Sequence, residues 1–173
     1  GAIQFRDKLS DKGDVLSIAR DMRQLCNSFG AIFIVNDHVD LAIASGADGV
    51  HLGQHDLPVL EARDILGSNY IIGTSNALFD EAMLSVSQGA DYVAVGTIFP
   101  TKTKENTRPA GLDMLRQVKS SVNVPVVAIG GINKNNASEV ISVGADALCV
   151  ISAVVAALDP AEATRDIISA MKL

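Results

Sequence analysis

An α/β fold of parallel strands, a (β/α)8 TIM barrel lacking its first βα unit, is what the chain predicts, and three observations carry that expectation. The clause Gly46-Ala47-Asp48-Gly49-Val50-His51-Leu52-Gly53 recurs as Gly89-Ala90-Asp91-Tyr92-Val93-Ala94-Val95-Gly96 and, more loosely, from Gly144 to Ile151, so one helix-to-strand joint is used repeatedly. In each copy a Gly suited to the left-handed helix end meets a turn-forming Asp and then an apolar run that fits a strand buried on both faces. The residues are 48% hydrophobic but only 4% aromatic, so Val, Ile, Leu and Ala must fill the core, as they do in parallel strands covered by helices. No glycine-rich phosphate loop follows an early strand, which disfavours the rival open doubly wound sheet.

In chain order, residues 2–5 read as a strand that begins almost at the first residue, and a first strand and helix are expected to lie outside this chain. Residues 15–29 are helical, with Leu16, Ala19, Met22, Leu25 and Cys26 spaced for one face. Strand 31–35, helix 39–45 and strand 49–52 follow. Residues 57–66 form the next helix, with Pro58 in its first turn and Gly67 as its stop. Then come strand 70–73, helix 79–88, strand 92–95, a polar loop over 97–108, helix 112–121, strand 124–129, helix 135–143 and strand 147–151. A short turn over 152–158 leads to a last helix over 160–171. Seven strands in one repeated direction, plus a closing helix, fall one βα unit short of the barrel.

At 173 residues, one hydrophobic core and a single domain over 1–173 are expected. The net charge of −6 without a basic run argues against nucleic-acid binding, while a small anionic ligand remains compatible with a local group of cations. No apolar run reaches membrane-spanning length, and no leader is recognisable at the start, so the reading is soluble and cytoplasmic. Cys26 and Cys149 lie in apolar contexts without metal-ligand spacing, which fits buried thiols. His38, His51 and His55 make no zinc motif.

Strand ends carry the polar residues. Gln4, Arg6 and Lys8 alternate with Phe5 and Asp7, so a two-residue period puts the three on one face, where two cations can neutralise a phosphate; a solvated edge is the alternative. Asn36 and Asp37 end the next strand, and Asp56 follows the one after. Two carboxylates at adjacent strand ends suit Mg2+ held by few protein oxygens plus water and substrate phosphates, with helix caps or turn residues as the alternative. The loop with Thr101, Lys102, Thr103 and Lys104 offers hydroxyls, amides and cations to an anion, unless it is merely solvated. Gly130-Gly131 and Ile151-Ser152 end the last two strands, where this fold often binds phosphate.

Gln4-Phe5-Arg6-Asp7-Lys8, Asn36-Asp37-His38-Val39-Asp40, the run from Gly49 to Asp56, Thr101-Lys102-Thr103-Lys104 and Ile129-Gly130-Gly131-Ile132 together resemble the thiamine-phosphate synthase family, along essentially the whole chain. The resemblance implies a transferase that joins hydroxymethylpyrimidine diphosphate to hydroxyethylthiazole phosphate, with Mg2+ as cofactor. It implies that Gln4, Arg6, Lys8, Asn36 and Lys104 contact the pyrimidine substrate or its diphosphate, that Asp37 and Asp56 hold Mg2+, and that Ser75 lies near the pyrophosphate. Thr101, Thr103, Gly131, Ile151 and Ser152 would contact the thiazole phosphate. Arg6, Lys8, Ser75 and Lys104 are the catalytic set so implied. The chain departs from the family's common residues at Asp7, His38, His55 and Lys102. A thiazole tautomerase or a noncatalytic barrel binding thiazole phosphate or thiamine phosphate is the alternative. Closure of the barrel by a homo-oligomer or another partner is part of the expectation.

Overall fold

The computed structural model describes residues 1–101, 103 and 107–172. Strands β1 (Ala2–Phe5), β2 (Ile32–Asn36), β3 (Gly49–Leu52), β4 (Ile71–Asn76), β5 (Tyr92–Val95), β6 (Val126–Ile129) and β7 (Ala147–Cys149) form one seven-stranded sheet in that order. Helices α1 (Lys12–Ser28), α2 (Val39–Ser45), α3 (Val59–Leu66), α4 (Phe79–Ser87), α5 (Gly111–Lys119) and α6 (Ala137–Val143) connect successive strands, and α7 (Ser152–Val155) and α8 (Pro160–Ala170) follow β7. The sheet is open and incomplete, and the strand order with a helix after each strand is that of a (β/α)8 barrel short of one βα unit. No helix among the described residues is long and apolar enough to cross a membrane.

Two compact units divide the chain: Gly1–Thr74 with Gln88–Asp91, and Ser75–Ser87 with Tyr92–Leu173. In the first, Phe33, Val35, Val50, Leu52 and Ile72 pack against Val15 and Ala19 of α1, Val39 and Ala42 of α2, and Val59 and Ala62 of α3. Strand alternation therefore leaves Gln4, Ile34, Asn36 and His51 on the other face of the sheet. In the second, Val93, Val95, Val126 and Ala128 pack against Leu115, Val118, Ala137 and Val140, which turns Ala94 and Ile129 away from the helices. The buried face of α1 runs Val15, Ala19, Met22, Cys26. Leu25, expected on that face, is 60% exposed, because it sits about 100° round the helix from Cys26.

The recurrent Gly-Ala-Asp joint does more than turn the chain. Gly46, Gly89 and Gly144 take positive φ of 69°, 94° and 115°, as a helix end requires. The Asp that follows is a clamp. Asp48 donates its N–H to the Phe33 carbonyl at 2.9 Å and accepts the Phe33 N–H at 2.8 Å, while Arg23 of α1 binds the same carboxylate oxygen at 2.7 Å. Asp91 does the same with Ile72 and Arg63 of α3, at 2.8, 2.7 and 2.6 Å. Asp146 repeats it with Val126 and Lys119 of α5, at 2.9, 2.7 and 2.7 Å. Each clamp thus spans two βα steps and pins the amino end of a strand to its successor and to a helix.

Burial raises the pKa of Asp146, but Lys119 and the Val126 N–H outweigh it and hold the carboxyl below the ordinary range. Asp146→Asn keeps an acceptor oxygen and loses the charge, and is expected to lower stability by about 1 kcal/mol at neutral pH, a small value because the pair is partly solvated. A lowered folded-state pKa stabilises above the unfolded carboxyl's pKa and ceases to do so as pH falls through the folded value. The gap between the urea midpoints of parent and variant should therefore close in acid; a gap of constant size would refute the role of charge.

Candidate active site

At the carboxyl end of β1, Asp7 accepts the N–H groups of Leu9 at 2.8 Å and Ser10 at 3.1 Å. This turn carries Lys8 to Asp37, whose Oδ2 accepts a hydrogen bond from Nζ. Asp37 follows β2 with a φ of 65°, a left-handed conformation that Asp tolerates better than most residues. Its N–H donates to the His51 carbonyl at 2.8 Å, which ties the kink to β3. After β3, Gly53 and Asp56 close a tight loop in which the Gly53 N–H donates to Asp56 Oδ2 at 2.7 Å. The carboxyl groups of Asp37 and Asp56 are close enough for each to shift the ionisation of the other. Lys8, Asp37 and Asp56, drawn from three successive strand ends, therefore form one cluster.

Its electrostatics distinguish the two acids. Burial pushes Asp37 up, yet the hydrogen bond and charge of the Lys8 ammonium, with the neighbouring Asp56 carboxyl, hold it below the ordinary carboxyl range. Asp56 is pushed up by burial and by the neighbouring Asp37 carboxyl, with the Gly53 N–H opposing. Like charges this close resist joint ionisation unless a proton or a cation lies between them. Two hard oxygen donors in that relation fit a divalent cation that takes its remaining ligands from water and a phosphate. Among the described residues, no group of three or more His, Cys, Asp or Glu side chains is placed to hold a metal by itself. Gln4 and Arg6 are exposed and Asn36 is half-buried; Gln4 and Asn36 share the sheet face turned from the helices, and Arg6 follows in the same alternation.

The second unit holds a second polar group. Ser75, half-buried, sits at the end of β4, where the next residue's carbonyl accepts the Gly96 N–H at 3.1 Å. Thr101 Oγ1 accepts the Thr103 N–H at 3.2 Å and donates to Thr103 Oγ1 at 3.1 Å, and Thr103 Oγ1 donates to Ser152 Oγ at 3.5 Å. Three hydroxyls from the β5–α5 loop and the start of α7 are thereby joined. Ile151, just before α7, is 46% exposed. Lys102 and Lys104 lie outside the described residues.

Gly130 and Gly131 have a reason beyond an anion. Their φ values are 102° and 66°, and a Cβ on Gly131 would stand 2.7 Å from the Pro100 carbonyl oxygen, one on Gly130 2.6 Å from Thr97 Cβ. Glycine there lets the chain after β5 lie directly on the chain after β6. The Gly131 carbonyl accepts Asn136 Nδ2 at 3.1 Å and Asn133 Nδ2 at 3.4 Å, while Asn136 Oδ1 accepts the Asn133 N–H at 2.8 Å. These asparagines orient the Gly131 peptide, a role that sequence reasoning missed although the cluster Asn133, Asn135, Asn136 immediately follows the glycine pair. A cleft of about 440 Å³ lined by Arg23, Asn27, Asp48, Asn69 and Tyr70 opens at the amino ends of β2–β4, the opposite ends from Lys8, Asp37 and Asp56, and is a separate feature.

Residues 1–154 match the family described as thiamine monophosphate synthase. The chain is 47% identical over 171 residues to the thiamine-phosphate synthase of Shouchella clausii, covering 98% of this chain and 82% of that protein. It is 49% identical over 166 residues to that of Methanocella arvoryzae, covering 95% and 78%. The solved thiamine phosphate pyrophosphorylase of Pyrococcus furiosus superposes with a TM-score of 0.93 at 43% identity, over 99% of this chain and 82% of that one. A 3-hexulose-6-phosphate synthase shares the fold alone, with a TM-score of 0.74 at 19% identity over 98% of this chain and 86% of the other. With a family match over residues 1–154 and relatives at 47% and 49% identity of which the chain covers 82% and 78%, the chain belongs to the thiamine monophosphate synthase family.

Proposed function

We propose that this chain is a transferase that condenses hydroxymethylpyrimidine diphosphate with hydroxyethylthiazole phosphate, giving thiamine phosphate and pyrophosphate. Family membership supports the reaction, and the observation that carries it to particular residues is the cluster of Lys8, Asp37 and Asp56. In that reaction the bond from the pyrimidine methylene carbon to the diphosphate oxygen breaks, and a bond from that carbon to the thiazole nitrogen forms. The main demand is stabilisation of negative charge on the departing pyrophosphate, with no protein nucleophile required.

Arg6, Lys8 and Lys104 are assigned to the diphosphate, Gln4 and Asn36 to the pyrimidine substrate, and Ser75 to the neighbourhood of the leaving group. Asp37 and Asp56 would hold Mg2+, which when bound neutralises phosphate charge. Lys8, already paired with Asp37, orients that carboxylate and supplies a cation beside the phosphates. Thr101, Thr103 and Ser152, joined by their hydroxyls, are assigned with Gly131 and Ile151 to the thiazole phosphate. β1 and β7 end the strand order, and the reading includes closure by one further βα unit from outside these residues or by edge pairing with a second copy.

Incubation of the purified chain with both substrates and Mg2+ is expected to release thiamine phosphate and pyrophosphate in equal amounts. Conversion of a thiazole isomer without condensation would favour a tautomerase, and tight binding without turnover would favour a noncatalytic binder.

A further inference from the structure

We infer that Arg108 and Glu81 are positioning residues that hold the Thr101–Thr103 hydroxyls in place for the thiazole phosphate, an inference that rests on the transferase reading above. The loop after β5 returns at Arg108. There the Thr97 N–H donates to the Arg108 carbonyl at 3.0 Å, and the Thr97 carbonyl accepts the N–H groups of Ala110 at 2.9 Å and Gly111 at 3.2 Å. The two ends of the loop are thus closed on each other. Its return point is then fastened to the β4–α4 joint: Arg108 Nη1 donates to Glu81 Oε1 at 2.6 Å and Nη2 to Oε2 at 3.0 Å.

Glu81 is a fixed post. Its Oε2 also accepts the N–H groups of Ala77 at 2.9 Å and Leu78 at 3.2 Å, which otherwise lack helical partners at the start of α4. The Glu81 side chain is 16% exposed and that of Arg108 50%, so the carboxylate is set in the fold and the guanidinium reaches in from the loop. A two-pronged arginine pair restrains direction as well as distance. The segment it meets begins just after Ser75, whose neighbour Asn76 bonds Gly96 at the loop's other end. The ion pair therefore fastens the base of the loop, at Thr97 and Arg108, to the β4–α4 joint, while Thr101 and Thr103 of the same loop meet Ser152. Neither residue belongs to the hydroxyl group itself, so their effect on the phosphate is transmitted through loop placement.

The test is steady-state kinetics on Arg108→Ala, Arg108→Lys, Glu81→Gln and the double variant Arg108→Ala with Glu81→Gln, with calorimetric titration of hydroxyethylthiazole phosphate alongside. Arg108→Ala is expected to raise KM and Kd for the thiazole phosphate roughly tenfold, the scale of a misplaced binding group, and to leave KM for the pyrimidine diphosphate within about twofold. Lysine keeps the charge and loses the fork, so Arg108→Lys should recover part of the loss. The double variant should be no worse than Arg108→Ala alone, as residues acting through one contact are non-additive. Equal losses for both substrates, additive losses in the double variant, or unchanged thiazole-phosphate affinity would overturn the inference. Should the alanine variant not fold, Glu81→Gln must still show the same split between substrates. If the parent chain binds thiazole phosphate without turnover, the transferase reading fails while the affinities still decide the role of the pair.

Discussion

Replacing Asp37 by asparagine is expected to slow thiamine-phosphate formation about a hundredfold, the scale on which loss of one charge-stabilising group acts, and to shift the Mg2+ requirement to higher concentration. The substitution is clean in its backbone, because asparagine tolerates a φ of 65° as well as aspartate does. It also keeps an acceptor oxygen for Lys8. What disappears is the carboxylate that Lys8 holds below the ordinary pKa range against the opposing effect of burial. Asp56 would then be the sole acid of the pair, relieved of the neighbour that helps push its own pKa up. Initial rates over a range of Mg2+ concentrations measure the effect. Unchanged metal dependence would remove Asp37 from the metal site whatever happens to the rate.

Gly49→Ala is expected to cost roughly 3 kcal/mol of stability, the upper end for inserting a methyl group into a packed interior. A Cβ there would stand 2.1 Å from the Ile71 carbonyl oxygen and 2.7 Å from Ile71 Cβ. The first of those atoms is backbone in the adjacent parallel strand, where Gly49 and Ile71 are partners in register, so no side-chain rotation relieves the clash. The β3–β4 ladder must separate or the substituted chain must fold elsewhere. Because β3 leads directly to Gly53 and Asp56, loss of stability should be accompanied by loss of activity. Urea unfolding of parent and variant gives the comparison, and a stability difference below about 1 kcal/mol would contradict the close approach that this geometry describes.

The expected elements met the structure most closely where their signals are local. α2, β3 and β5 occupy the residues the pattern assigns to them, since a helix-ending Gly, a turn Asp and a β-branched or apolar run lie next to one another in the chain. β4 was expected over 70–73 and extends to Asn76. Thr74 and Asn76 are polar yet buried, and asparagine is disfavoured in strands; Asn76 meets Ser85 at 3.1 Å and the Ala94 carbonyl at 3.5 Å. Tertiary partners override the local preference there. β7, expected over 147–151, ends at Cys149, because the chain turns into α7.

The candidate site divides in the same way. Residue types at strand ends identified Lys8, Asp37 and Asp56 as candidates, and the structure brings them together. The clamp formed by Asp48, Asp91 and Asp146 was visible only as a repeated turn residue, since its cations Arg23, Arg63 and Lys119 stand 25, 28 and 27 positions away. Gly130-Gly131 read as phosphate-binding glycines, and the structure adds that the chain at Thr97 to Pro100 occupies the space their side chains would need. Asn133 and Asn136 carried no signal of chemistry because their work is to hold one peptide group.

By itself the sequence determined the succession of βα units and the inventory of charges at their ends, because helix stops, turns and strand runs act over a few neighbouring residues. The tertiary structure alone decided which of those groups meet: Lys8 with Asp37 across 29 positions and Arg108 with Glu81 across 27. Such meetings depend on strand register and on the direction in which a turn releases the chain, and both are fixed by packing between segments that are remote in sequence.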